Sequence, residues 1–287
     1  MQLPLFRRAA LITLIGNILL AGIKGAAAWF SRSSAIYADA ANSISDVFTS
    51  VLLIYGIWFS HRPPDQGHPQ GHTRFEPLAA LLVTFSMGFA GYEAIRTSVT
   101  RLANPDISIS VSLAALTFLV SISIKVFMVI SITRTNEQLQ SPGLKAAARD
   151  NLVDTITSVA AFLGVMGNIF IHPLLDPLMG ILVGLWVFWN VFGMVKENLA
   201  YLTGAGADQE TRNKFLNAVQ EIDGVRNVHH IVVEHIGSKF LVDVHINVNG
   251  DLTLNQSHEI CDHAIAVLET FDEVDRAYVH VEPLGYT

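Results

Sequence analysis

The sequence predicts an α-helical membrane protein with six transmembrane helices, followed by a small cytoplasmic α+β domain of ferredoxin-like or metallochaperone-like type. Three observations carry that expectation. Six apolar stretches can be marked along the chain, each near the ~20 residues a helix needs to cross a bilayer. The hydrophobic fraction of 51% against 15% charged residues, with a mean hydropathy of +0.42, is too apolar for one soluble globule. Near residue 205 both pattern and charge change: residues 1–204 carry 13 Lys+Arg against 11 Asp+Glu, whereas 205–287 carry 5 against 14. The expected division is therefore a membrane domain over 1–204 and a soluble domain over 205–287.

In chain order, the apolar stretches run over 9–30, 35–60, 77–99, 109–132, 144–168 and 173–195. Arg7 and Arg8 precede the first without a small-residue cleavage pattern, so the first helix is expected to open the membrane domain. An even number of spans puts both termini on one side, with Arg7, Arg8, Arg62, Arg74, Arg134, Lys145 and Lys196. The other side holds Arg32, Arg96 and Arg101, so the positive-inside rule places both termini in the cytoplasm of a cell-membrane protein. The stretch from His61 to His72, rich in Pro, Gly and His, reads as a loop. Ser141-Pro142-Gly143 opens the fifth helix with Pro just inside its start, and His172-Pro173 marks a further turn.

Beyond residue 205, Asp208 is placed to cap a helix carrying Phe215, Leu216, Val219 and Ile222 at helical spacing. Strands are expected over 227–235 and 239–248; in the second, Phe240, Val242, Val244, Ile246 and Val248 alternate with Leu241, Asp243, His245 and Asn247. A helix over about 255–271 and a strand from Ala277 to Glu282 complete the unit. Its acidity argues against nucleic acid, whose phosphates require the opposite sign, and suits cations. The single cysteine, Cys261, excludes an intrachain disulfide framework and fits a reducing compartment.

The chemistry concentrates inside the apolar stretches. Asn42 and Asp46 lie four residues apart in the second, as do Asp150 and Asp154 in the fifth, so each pair shares a helix face. An aspartate at the bilayer centre costs roughly 2.5 to 3.5 kcal/mol on insertion scales and marks an ion pathway or a polar pair. Polar residues also glue membrane helices together. Three carboxylates clustered without a cation or proton repel one another in a low dielectric, which favours a site for a hard divalent cation. Asp39 shares the face of Asn42 and Asp46 and fits a supporting position behind the ligands.

Three stretches resemble the cation diffusion facilitator family: Tyr37-Ala-Asp-Ala-Ala-Asn-Ser-Ile-Ser-Asp46, Ala148-Arg-Asp-Asn-Leu-Val-Asp154 and Gly67-His-Pro-Gln-Gly-His-Thr-Arg-Phe-Glu76. The resemblance implies a homodimeric exporter that moves a divalent cation out of the cytoplasm in exchange for protons, alternating between inward- and outward-open states. Zinc members commonly carry an imidazole on the second or fifth helix, whereas Asn42, Asp46, Asp150 and Asp154 offer only oxygen and resemble the manganese branch. Oxygen donors favour Mn²⁺, with Fe²⁺ next and Zn²⁺ or Co²⁺ as alternatives.

The resemblance also implies a loop site at Asp65, His68 and His72. In the soluble domain it implies a regulatory site at His229, His245, His258, His280 and Glu282, within or between protomers; His230, His235, His263 and Cys261 are weaker candidates, with Cys261 expected as a small buried hydrophobe. A salt bridge tying the dimer would use Arg74, for which Asp208 is the available acid. A non-transporting metal sensor remains the alternative. No HExxH, GxSxG or P-loop pattern supports an enzyme.

Overall fold

The computed structural model describes residues 3–31, 34–103, 111–170, 172 and 174–285. Six helices of 27 to 29 residues come first: α1 (Leu3–Ser31), α2 (Ser34–Ser60), α3 (Phe75–Ala103), α4 (Val111–Leu139), α5 (Pro142–Phe170) and α6 (Leu175–Thr203). At 1.5 Å per residue each is roughly 40 Å long, enough to cross a ~30 Å hydrocarbon core with polar turns to spare. Among the described residues α1, α2, α3, α4 and α6 contain stretches long and apolar enough to span. Large apolar side chains such as Phe48, Phe89, Trp189 and Phe192 stand exposed on the helices, the arrangement expected where the surroundings are lipid rather than water.

Inside this unit Leu20, Ile57, Met87, Met128, Ile132 and Val187 form the buried core. α1 packs on α2 and α4, while α5 packs on α3 and α4, so α4 lies between α1 and the helix that carries Asp150 and Asp154. Small residues bring α6 onto α3: a Cβ at Gly184 would stand 3.0 Å from the Gly91 carbonyl oxygen, tighter than nearly all side chains stand. The start of α5 is fixed from α3. Glu76, 5% exposed, accepts from the Ser141 hydroxyl and from the Gly143 backbone N–H at 3.3 Å.

Chain contacts define two compact units, Met1–Arg62 with Phe75–Asn198, and Pro63–Arg74 with Leu199–Thr287. The polar loop after α2 therefore groups with the C-terminal unit, a partition that sequence position did not suggest. Within that unit Gly237, at φ +66°, turns against the backbone of Thr73, where a side chain would collide.

The rest of the second unit comprises α7 (Gln209–Gln220), β1 (Asn227–Ile236), β2 (Lys239–Val248), α8 (Leu254–Glu269) and β3 (Val274–Pro283). Asp208 caps α7 by accepting from the Thr211 N–H at 2.8 Å, and Thr253 with Gln256 forms a capping box on α8. The sheet order is β1-β2-β3, with β1 antiparallel and β3 parallel to β2. Phe215 and Val219 of α7 and Ala264 and Leu268 of α8 close over Val242, Val244 and Ile246, so both helices cover one face. Residues 205–207 bridge the β1 edge, Ala207 N–H donating to Val233 O at 2.8 Å and His235 N–H to Ala205 O at 3.0 Å. They form a rudimentary fourth strand that precedes α7 in chain order, as the first strand of a βαββαβ unit does.

Candidate metal centres

Asp46 on α2 and Asp150 and Asp154 on α5 each bring a carboxylate oxygen within 4.8 Å of the others. Helical spacing explains the pair on α5, and the packing of the bundle supplies the third. At 4.8 Å and an effective dielectric near 20, each pair of ionised carboxylates repels by roughly 3 to 4 kcal/mol, so the cluster demands a cation or protons. Asn17 of α1 anchors the turn that carries Asp46: its amide donates to the Ser50 hydroxyl at 2.8 Å and to the Asp46 carbonyl at 3.3 Å. Asn42, one turn earlier on α2, is exposed and makes no hydrogen bond among the described residues. The side chain of Asp39 lies outside the described residues.

Sequence reasoning missed the cation already in the cluster. Lys125 of α4, 4% exposed, donates to Asp46 Oδ2 at 3.0 Å and is ion-paired with Asp154. Lys24 of α1, 5% exposed, lies within electrostatic reach of Asp46. The available signal was the depth rule applied to the aspartates: a lysine inside an apolar stretch is as costly as a carboxylate and also implies a partner.

In the loop, Asp65 faces both histidines, with His72 Nε2 at 3.3 Å and His68 Nδ1 at 3.4 Å, and the two rings lie 4.5 Å apart. His72 is buried while Asp65 and His68 are exposed, giving the trio one wall and one open side. The His68 backbone N–H, donating at 2.7 Å, and behind it the His72 and His68 rings hold the Asp65 carboxyl below the usual carboxylate range. One imidazole pair with one carboxylate suits Zn²⁺ and other borderline ions.

On the open face of the sheet, register aligns His245 with His280 and Asn247 with Glu282. Glu282 gathers three rings: His229 Nε2 at 3.3 Å, His280 Nε2 at 3.3 Å and His245 Nδ1 at 3.7 Å. Asn247 Oδ1 holds His229 Nδ1 at 3.0 Å, and the His230 ring lies 4.7 Å from that of His245.

His258 is not brought to this cluster within the chain. It stands on α8, whose buried residues pack against the apolar face of the sheet, and it groups instead with Cys261 and Asp262. Cys261 is half-buried rather than a core residue; burial, with the Asp262 carboxylate beside it, pushes its thiol up. His235 serves packing, its ring 4.8 Å from Tyr201 and 4.4 Å from Phe240. His263 is exposed. Arg74 makes no ion pair among the described residues, and the Asp208 carboxylate is engaged as a helix cap.

Residues 10–203 match the cation efflux transmembrane domain, and residues 207–284 match the cation efflux protein cytoplasmic domain. The chain belongs to the cation efflux, or cation diffusion facilitator, family. It is 30% identical over 279 residues to the uncharacterized transporter MJ0449 of Methanocaldococcus jannaschii, covering 95% of this chain and 96% of that one. It is 27% identical over 275 residues to the manganese efflux system protein MneS of Bacillus subtilis, covering 96% and 94%. Among solved structures, MamM-CTD 215-293 is 28% identical with a TM-score of 0.25, covering 26% of this chain and 96% of that one. The protein is thus a multi-pass membrane transporter for metal cations and not an enzyme.

Proposed function

We propose that this efflux transporter exports Mn²⁺ from the cytoplasm in exchange for protons, as a homodimer with both termini cytoplasmic. The observation that carries the reading is the convergence of Asp46, Asp150 and Asp154 between α2 and α5, with no imidazole among them. Three hard oxygen donors suit Mn²⁺, then Fe²⁺, better than Zn²⁺ or Co²⁺. The relatives named as manganese efflux proteins, MneS and MneP of Bacillus subtilis, support Mn²⁺ as the first choice. Asn42 is exposed one turn before Asp46, so the selectivity argument rests on the three carboxylates.

Proton exchange follows from the ligands. Carboxylates must be ionised to hold the cation, so metal and protons compete for the same oxygens and binding one releases the other. The half-buried histidine-free cage supplies both functions with one set of groups. Uptake into vesicles of the reconstituted full chain, compared across Mn²⁺, Fe²⁺, Co²⁺ and Zn²⁺ with an internal pH dye, tests both parts. The expected result is preferred Mn²⁺ uptake with opposed proton movement; Zn²⁺ preference would overturn the ion assignment, and flux without proton movement would overturn antiport.

A further inference from the structure

We propose that Lys125 is a tethered counter-cation: its ammonium fills the cation position among Asp46, Asp150 and Asp154 while the transported ion is absent, and each ion enters by displacing it. The inference rests on reading this cluster as the transport site. Lys125 is 4% exposed on α4, 3.0 Å from Asp46 of α2, and ion-paired with Asp154 of α5. One ammonium thereby neutralises ligands from the two helices that would close on a metal. A dication and the ammonium cannot share those carboxylates without strong mutual repulsion, so their occupancies are opposed.

The displaced ammonium can swing away on its own side chain. Its stem is four rotatable carbons, so it can leave the cage without moving α4. Ser121, one turn earlier on the same helix, has a buried hydroxyl with no partner, and Asn17 Oδ1 on α1, Ser43 Oγ on α2 and Asn151 Oδ1 on α5 are likewise buried and unpartnered. These buried oxygens on α1, α2, α4 and α5 are acceptors of the kind a displaced ammonium needs. With the ion on the carboxylates, Lys125 would donate to an acceptor of this kind. Two consequences follow. The tether lowers ion affinity and speeds release, and together with the exchanged protons it compensates the ion-free cage while the carrier reorients through a low-dielectric interior.

Reconstituted full-length protein gives the test, using Mn²⁺ alone as the probe in two assays. Net uptake requires the empty carrier to return, whereas exchange of Mn²⁺ across vesicles loaded on both sides does not. For Lys125→Met the half-saturating Mn²⁺ concentration is expected to fall about tenfold and net uptake to fall by at least about tenfold, with exchange reduced far less. Lys125→Arg, which keeps the charge, should restore net uptake. Lys125→Gln, which keeps a donor but no charge, should behave as Met and serves where Met is not tolerated.

Equal loss of net uptake and exchange, or an unchanged half-saturation, overturns the proposal. So does failure of both neutral variants to assemble while Arg assembles, since Lys125 would then be a structural tie. Asp154→Ala keeps the two readings apart. If it retains saturable Mn²⁺ exchange, the transport-site assignment falls; if it loses exchange while Lys125→Met matches wild type, only the counter-cation falls.

Discussion

Asp154 is the residue on which the cluster's competing demands meet, since its carboxylate pairs with Lys125 and lies beside both Asp46 and Asp150. Asp154→Ala is therefore expected to reduce saturable Mn²⁺ flux by at least about a hundredfold, because it leaves a buried ammonium with one fewer counter-charge as well as removing a ligand. Asp150→His makes a different change, replacing a hard donor with an imidazole that suits Zn²⁺. The ratio of Zn²⁺ to Mn²⁺ uptake should rise about tenfold, measured with both ions in the same vesicles; an unchanged ratio would show that the carboxylates do not set selectivity. His235 illustrates a residue whose burial acts on folding. Set between Tyr201 and Phe240, it is held below the usual imidazole range by desolvation. Its folded value lies under the unfolded one of 6.5, so its contribution is full above that value and is lost as pH falls through the lower folded value. The drop in unfolding temperature between about pH 7.5 and 5.5 should accordingly be smaller in His235→Phe than in wild type.

At the scale of elements, Glu76 shows how one buried side chain sets a helix start. It receives the Ser141 hydroxyl and the Gly143 N–H, satisfying groups at the N-terminus of α5 that no intrahelical partner reaches. Glu76→Ala should cost about 1.5 to 3 kcal/mol, read as a lower unfolding midpoint in detergent, while leaving the metal ligands in place. An unchanged midpoint would mean that water replaces the carboxylate at this junction. Neither this contact nor the Lys125 bridge could be read from spacing, because each joins helices whose neighbours are decided only by packing. What spacing did reveal was local: the i,i+4 carboxylates of α5, the alternation of Val242, Val244 and Ile246 on β2, and the Asp208 cap. His258 fell between these cases. It is four residues from Asp262 and shares a helix face with it, yet grouping it with the strand histidines requires knowing which face of the sheet α8 covers.

Across the whole molecule two coordination chemistries occupy the two units. The membrane unit offers three carboxylates, and the second unit offers His229, His245, His280 and Glu282 on a sheet face together with Asp65, His68 and His72 in the loop that groups with it. An efflux carrier so divided would sense and transport different ions. Imidazole-rich sites should take Zn²⁺ tightly at neutral pH and lose it as the rings protonate, whereas the oxygen cage should discriminate against it. Added Zn²⁺ is therefore expected to stabilise the full chain by about 2.7 kcal/mol for each site occupied at a hundredfold excess over its dissociation constant. A His229→Ala, His245→Ala double variant should lose the part of that stabilisation belonging to the sheet, and Asp65→Ala the part belonging to the loop. Both should retain Mn²⁺/Mn²⁺ exchange, because neither touches the carboxylates of α2 and α5. Unfolding curves with and without Zn²⁺, set beside exchange in the same preparations, separate the outcomes. If the double variant loses exchange as completely as Asp154→Ala does, the sheet cluster belongs to the ion's path, and the division of labour between the units is wrong.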